Sequence, residues 1–244
     1  MSDSTDTGGK VPRAPTKPRA PHTAKAVAGR KPKRAATGSL TGARARDREV
    51  VEAAVRIFWE KGYATASVQD VADALGMLKG SLYYYIDSKE SLLHRIFDDS
   101  HNEIVRITEE SMQSDAPAAE RLRRFLHDYA MWTLTHLERA GLYSREWRYA
   151  SESLRVTLAE HQRYYVRHLR ELIAVGQSEG SCDVDVDPRA ASLFILAAFT
   201  GLPDWYRPGS RHKAEDVAEA YVGIAMRAVG ADAILQSRAI ELVR

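Results

Sequence analysis

SVQDVADALGMLKGSLYYYIDSK, residues 67–89, reads as two short helices around a tight turn. Ser67 is placed to cap the first helix, and Asp70 three residues on can complete a capping box. Val68, Val71, Ala72 and Leu75 fall at helical spacing and make one apolar face. Gly76 ends that helix and Met77 carries the turn. The second helix, about residues 78–84, shows Lys79, Gly80, Ser81, Tyr83 and Tyr84 outward and keeps Leu82 for packing. A glycine inside a helix costs roughly 1 kcal/mol against alanine. That cost is reasonable where another surface must approach the backbone. Two lysines and a pair of rigid phenols suit a phosphate backbone and a major groove. The same helical shape also occurs in all-α proteins that never meet DNA, and spacing alone leaves both readings open.

Outward from this stretch, charge divides the chain. The net charge of +2 conceals about +9 on residues 1–46 and about −7 on the rest. Five of the nine prolines lie before residue 43, with almost no large apolar side chain. Residues 1–42 therefore read as a disordered basic arm, either following phosphates or simply solvated. One cysteine, Cys182, excludes an internal disulfide and fits a reducing cytoplasm. No apolar run is long enough to span a membrane, and the N-terminus lacks a signal-peptide core.

The expected fold is all-α, with about nine helices. A first helix at 43–61 carries Val51, Ala54, Val55 and Phe58 inward and closes at Gly62, with Arg44, Arg46 and Arg48 placed to reach phosphates. After the helix pair, residues 88–112 form a long rod. A break at 113–117 precedes a helix at 118–140 that Gly141 closes, and a shorter piece follows at 142–152. Further helices are expected at 153–178, 188–202 and 213–229, with Pro188 opening the eighth and Gly230 stopping the ninth. The eighth is apolar nearly all round and must be buried on every side. This divides the chain into the arm, a helix-turn-helix head at 43–90, and a body at 91–244.

Enzyme chemistry finds no support. No HExxH, GxSxG, phosphate-binding glycine loop or dinucleotide fingerprint is present, and no metal or cofactor is expected. His161 and His168 look exposed, and the neighbours His127 and Asp128 should point different ways.

Residues 46–97, with GYATASVQDVADALGMLKGSLYYYIDSKESLL at their centre, resemble the DNA-binding domain of the TetR family of transcriptional regulators. Leu78 departs from the small polar residue usual there; it cannot cap a helix but could touch a thymine methyl. The resemblance implies phosphate contacts from Ser67, Tyr84 and Lys89, and base-edge contacts from Gln69, Lys79, Gly80, Ser81 and Tyr83. It also implies a homodimer through the helices at 188–202 and 213–229, gripping a near-palindromic operator in double-stranded DNA. Trp205 and Tyr206 would seal that interface.

The body's aromatics and arginines suggest an apolar pocket with a cationic rim, suited to an amphipathic anion such as an acyl-CoA. Candidate contacts are Trp132, Arg145, Trp147, Tyr165 and Phe199, with Arg145 and Trp147 the favoured pair. GLPDWYRPG and LKGSLYYYIDSKE are similar to a TetR branch linked to lipid and steroid breakdown. The expected function is a ligand-released repressor. Its effector would be an acyl-CoA or a related lipid metabolite, or alternatively a drug-like hydrophobic molecule. An effector-free architectural DNA-binding protein is the alternative from another class.

Overall fold

The computed structural model of the chain describes residues 37–146 and 150–231, with side chains from Arg44 onward. Trp147 and residues 1–36 of the basic arm lie outside the described residues. Ten helical segments and no strand occur among the described residues: α1 (Thr37–Lys61), α2 (Val68–Ala74), α3 (Lys79–Leu82), α4 (Lys89–Met112), α5 (Ala118–Thr135), α6 (Leu137–Arg145), α7 (Glu152–Ser178), α8 (Pro188–Thr200), α9 (Leu202–Trp205) and α10 (Ala214–Ala228). No helix among them is long and apolar enough to cross a membrane.

Local chemistry explains the head. Ser67 and Asp70 form the full capping box of α2. Gly76, at φ +61, closes it, with Gly76 N–H bonding Asp73 and Met77 N–H bonding the Ala72 carbonyl. Those two bonds are a Schellman stop, which needs a left-handed residue. α1 begins six residues ahead of the expected Ala43, since no proline follows Pro32 to interrupt it.

Two apolar clusters organise the packing. The head cluster holds Val51, Ala54, Phe58, Val71 and Leu82, and it reaches beyond residue 90 to Leu93, Phe97, Leu142, Leu154 and Leu158. The body cluster holds Ile104, Leu122, Phe125, Tyr129, Leu169, Phe199 and Met226. α4, whose 24 residues span about 36 Å, contributes to both and joins them.

Six further expectations change. The helix expected at 118–140 breaks at His136, whose backbone leaves helical geometry at φ −123°, ψ 45°; its ring stacks on Trp132 instead. Gly141 does not close a helix but lies inside α6, where any Cβ would collide with the ring of Trp59 on α1. α8 is not buried on every side of this chain, because Leu193 and Phe194 face water. His161 and His168 are buried, since both share the inward stripe of α7 with Leu158, Tyr165 and Leu169. Tyr206 is likewise buried within its own chain, and only Trp205 of that pair is exposed. His127 and Asp128 do meet, with 3.2 Å between Nδ1 and Oδ1.

Candidate functional site

α3 is four residues long and presents itself outward. Leu78, ahead of it, is 79 % exposed and makes no side-chain cap, as its chemistry requires. Lys79 and Gly80 are exposed, and nothing stands within 4 Å of where a Gly80 Cβ would be. Tyr84 is 88 % exposed and Tyr83 half so, while Leu82 is wholly buried and anchors the helix against α1 and α2. Ser81 is partly exposed. Such a surface offers a cation, hydroxyls and apolar edges with little backbone in the way.

Beside it, Ser67 Oγ donates to Asp70 Oδ2 at 2.6 Å, and Gln69 Nε2 donates to Asp73 Oδ1 at 2.7 Å. Lys61 pairs with Asp70 and, with Ser67, holds that carboxyl well below the usual carboxylate range. Two basic side chains are turned to structural use. Lys89 does not point outward: its Nζ donates to the Ala66 carbonyl at 2.7 Å and sits 4.3 Å over the Tyr63 ring. Burial pushes its pKa down, against the nearby Glu146 and Asp70 charges. The reason is that the carbonyls of the loop between α1 and α2 need a donor, and Lys89 at the start of α4 is within reach. Arg46 pairs with Glu49 and donates to the Leu75 carbonyl at the end of α2.

In the body, α4, α5, α6, α7 and α8 enclose a cavity of about 370 Å³. Phe97, Ile104, Tyr129, Tyr143 and Leu196 supply apolar wall; His101, Thr133, Arg139, Ser144 and Gln162 supply polar groups. His101 Nδ1 and the Tyr165 hydroxyl share a hydrogen bond of 2.6 Å. The His101 ring stacks on His161 with centroids 3.7 Å apart. Burial, then the neighbouring His161, lowers the His101 pKa to about 4, so the ring is neutral at neutral pH. His161 is lowered by the same burial. Trp132 Nε1 donates to Glu103 Oε2 at 2.6 Å. Arg139 pairs through Nη2 with Glu52 of α1.

Of the expected ligand contacts, Trp132 and Tyr165 line this cavity. Phe199 lies behind the wall, stacked on Tyr129 with 6.2 Å between centroids. Arg145 is elsewhere: its guanidinium lies 3.7 Å over the Trp59 ring, in a separate depression with Leu137 and Pro203. His101 and Arg139 were missed. A signal existed for His101: Phe97, Ser100, His101 and Ile104 follow one i, i+3, i+4, i+7 stripe. Arg139 interrupts the aromatics between Trp132 and Tyr143, a weaker signal across a helix break.

Comparison with known proteins agrees with this geometry. Residues 50–96 match the family model described as bacterial regulatory proteins, tetR family, and residues 115–229 match that described as tetracyclin repressor-like, C-terminal domain. The HTH-type transcriptional repressor KstR2 of Rhodococcus jostii (strain RHA1) is 28% identical over 191 residues, 76% of this chain and 92% of that protein. The structure of the ketosteroid transcriptional regulator KstR2 of Mycobacterium tuberculosis is similar at a TM-score of 0.70 and 25% identity, covering 75% of this chain and 94% of that one. AibR, solved in complex with isovaleryl coenzyme A and operator DNA, is similar at a TM-score of 0.66 and 25% identity, covering 73% of this chain and 97% of its own. With an outward-facing α3 on its head and both halves matched, the chain belongs to the TetR family of DNA-binding transcriptional regulators, and it is a regulator rather than an enzyme.

Proposed function

We propose that the protein is a homodimeric repressor acting in the cytoplasm, bound to a near-palindromic operator and released by a small acyl-type effector. The observation that carries the DNA reading is α3 with the residues just after it: Lys79, Tyr83 and Tyr84 stand in water while Leu82 fixes the helix from behind. Lys79, Gly80, Ser81, Tyr83 and Gln69 are assigned to base edges, and Ser67 and Tyr84 to phosphates. Backbone N–H groups at the start of α4 suit a further phosphate. Lys89 is assigned to holding the loop that presents Ser67.

The dimer seam is assigned to exposed apolar side chains on three neighbouring elements: Leu193 and Phe194 of α8, Trp205 of α9 and Ile224 of α10. Small residues Ala190 and Ala197 between them permit close approach. Trp205 is already oriented, donating through Nε1 to the Tyr221 hydroxyl at 3.0 Å. Two heads related by a two-fold axis then meet the major groove about one turn, roughly 34–36 Å, apart.

The cavity favours an effector-controlled regulator over an architectural DNA protein. Its volume lies at the small end of ligand sites, which run from roughly 300 to 1,000 Å³. It fits an acyl chain or ring system better than a whole coenzyme. The relatives include a ketosteroid regulator and one solved with isovaleryl coenzyme A, and the apolar wall with few polar groups is chemistry of that kind.

Selection of genomic fragments with the purified full-length protein tests the reading. A shared near-palindrome should emerge, and the recovered duplex should be released by an acyl compound. Recovery of fragments without a common symmetric sequence would overturn it in favour of architectural binding.

A further inference from the structure

Arg139 has half of its guanidinium in use. It lines the cavity, is only 8 % exposed, and pairs through Nη2 with Glu52 on α1. Its Nη1 is buried and meets no hydrogen-bond partner. A buried charged donor left unpaired is unfavourable, and a bound acceptor is the ordinary remedy. The remaining cavity wall strengthens the point. Among the described residues that line it, Arg139 carries the one side chain ionised at neutral pH, because burial keeps His101 neutral. An apolar chamber with a single forked cation selects an apolar molecule bearing one carboxylate or carbonyl oxygen.

The same residue touches the head. Glu52 is on α1, the helix against which α2 packs, and its side chain is largely exposed apart from this contact. Two residues beyond Arg139, Gly141 packs α6 so closely on Trp59 of α1 that no Cβ fits between them. A shift of α6 therefore has no slack at this junction and must be passed to α1.

We propose that Arg139 is the effector-sensing residue: its Nη1 donates to an acyl oxygen of the effector, and its hold on Glu52 transmits occupancy of the cavity to the DNA-binding head. The inference rests on the reading of the cavity as an acyl-effector site. The oxygen is either the carboxylate of a free acid or the thioester carbonyl of its CoA derivative. An acceptor bound at Nη1 draws on the guanidinium while Nη2 keeps Glu52, so the movement of α6 is passed to α1.

Calorimetric titration of the full-length protein with decanoate, cholate, their CoA thioesters and 1-decanol tests this. It is paired with release of the selected operator duplex followed by fluorescence anisotropy. At least one acyl probe should bind the unaltered protein, and whether acid or thioester binds identifies the source of the oxygen. Arg139→Gln should weaken that probe at least about tenfold and leave 1-decanol unchanged. Glu52→Gln alters an exposed side chain, so folding is kept. It should bind the probe within about twofold of the unaltered protein yet require about tenfold more of it to release the duplex. Equal acyl binding by Arg139→Gln and the unaltered protein would overturn the sensing role, and normal release by Glu52→Gln would overturn the transmission. Absence of binding by every acyl probe to the unaltered protein would instead remove the acyl-effector reading, and this inference with it.

Discussion

At the head, α3 and its two flanks hold Leu78, Lys79, Tyr83 and Tyr84 out in water; in the body, five helices turn two to four side chains each toward a shared chamber. A surface that reads a long polymer must stand clear of its own protein, so its residues come from one short run and are rigid at the base. A chamber that encloses a small molecule must remove water from all sides, so its residues come from everywhere. The first kind of site carries its chemistry in exposed groups. The second perturbs what it buries: His101 is pushed down to about 4, and Tyr165 is pushed up.

The sharpest way to break this contrast is at Phe97, the residue that both regions share. It is 1 % exposed, belongs to the head cluster and lines the cavity. Phe97→Ala should cost about 3–5 kcal/mol in chemical denaturation while keeping a single transition. Two separate transitions would mean that head and body are independent units and that α4 does not join them.

Lys79→Ala isolates the polymer-reading side. It should weaken operator binding by about 1–3 kcal/mol and relax one position of the recovered sequence. The melting temperature should hardly move, since Lys79 is exposed. Unchanged affinity at fixed salt would remove it from the base-reading set.

Acid tests the buried interior of the body. Burial, aided by the Arg121 charge, holds His168 at about 4 against an ordinary 6.5, and its exposure is only 4 %. Below pH 6.5 the unfolded chain takes up a proton that the folded chain refuses until about 4. Stability from this group is therefore complete above pH 6.5 and falls as pH drops toward 4. At pH 5 the loss from His168 is about 2 kcal/mol, which lowers the melting temperature by roughly 4–8 °C. His168→Gln should flatten the pH dependence of the melting temperature; an unaltered slope would show that His168 is not held neutral.

Lys89 gives the smallest effect and separates two roles. With its ammonium committed to the Ala66 carbonyl and the Tyr63 ring, Lys89→Ala should cost about 1 kcal/mol of stability. The salt dependence of operator affinity should stay as it was. A slope reduced by about one would return Lys89 to the phosphates.

Much of the head was legible because its determinants are local. Ser67 with Asp70 and the left-handed Gly76 set the boundaries of α2 within a few residues of sequence, and Leu82 was readable as the buried side of α3. Where a determinant was distant, legibility failed even there. Nothing near Lys89 in sequence announces the Ala66 carbonyl 23 positions away that claims it. In the body, the apolar stripes placed Tyr129 and Tyr165 on inward faces, and the cavity takes both. Arg145 lies outside the cavity because α6 turns its guanidinium over the Trp59 ring, a contact that nothing near it in sequence announces. Glycine misled at Gly141 for a related reason: the residue looks like a terminator, and only the approach of Trp59 shows that it is a spacer.

By itself, the order of residues determined that the chain is helical, where α2 stops, which side of α3 is buried and which faces of the long helices turn inward. Those properties are settled by hydrogen bonds and side-chain spacing over four to seven residues. Tertiary structure alone decided which inward residues meet. It brought Arg139 to Glu52 across 87 positions, stacked His101 on His161 across α4 and α7, and tied Lys89 to the Ala66 carbonyl. Burial and partnership depend on the crossing of helices in space, and no short window of sequence contains that information.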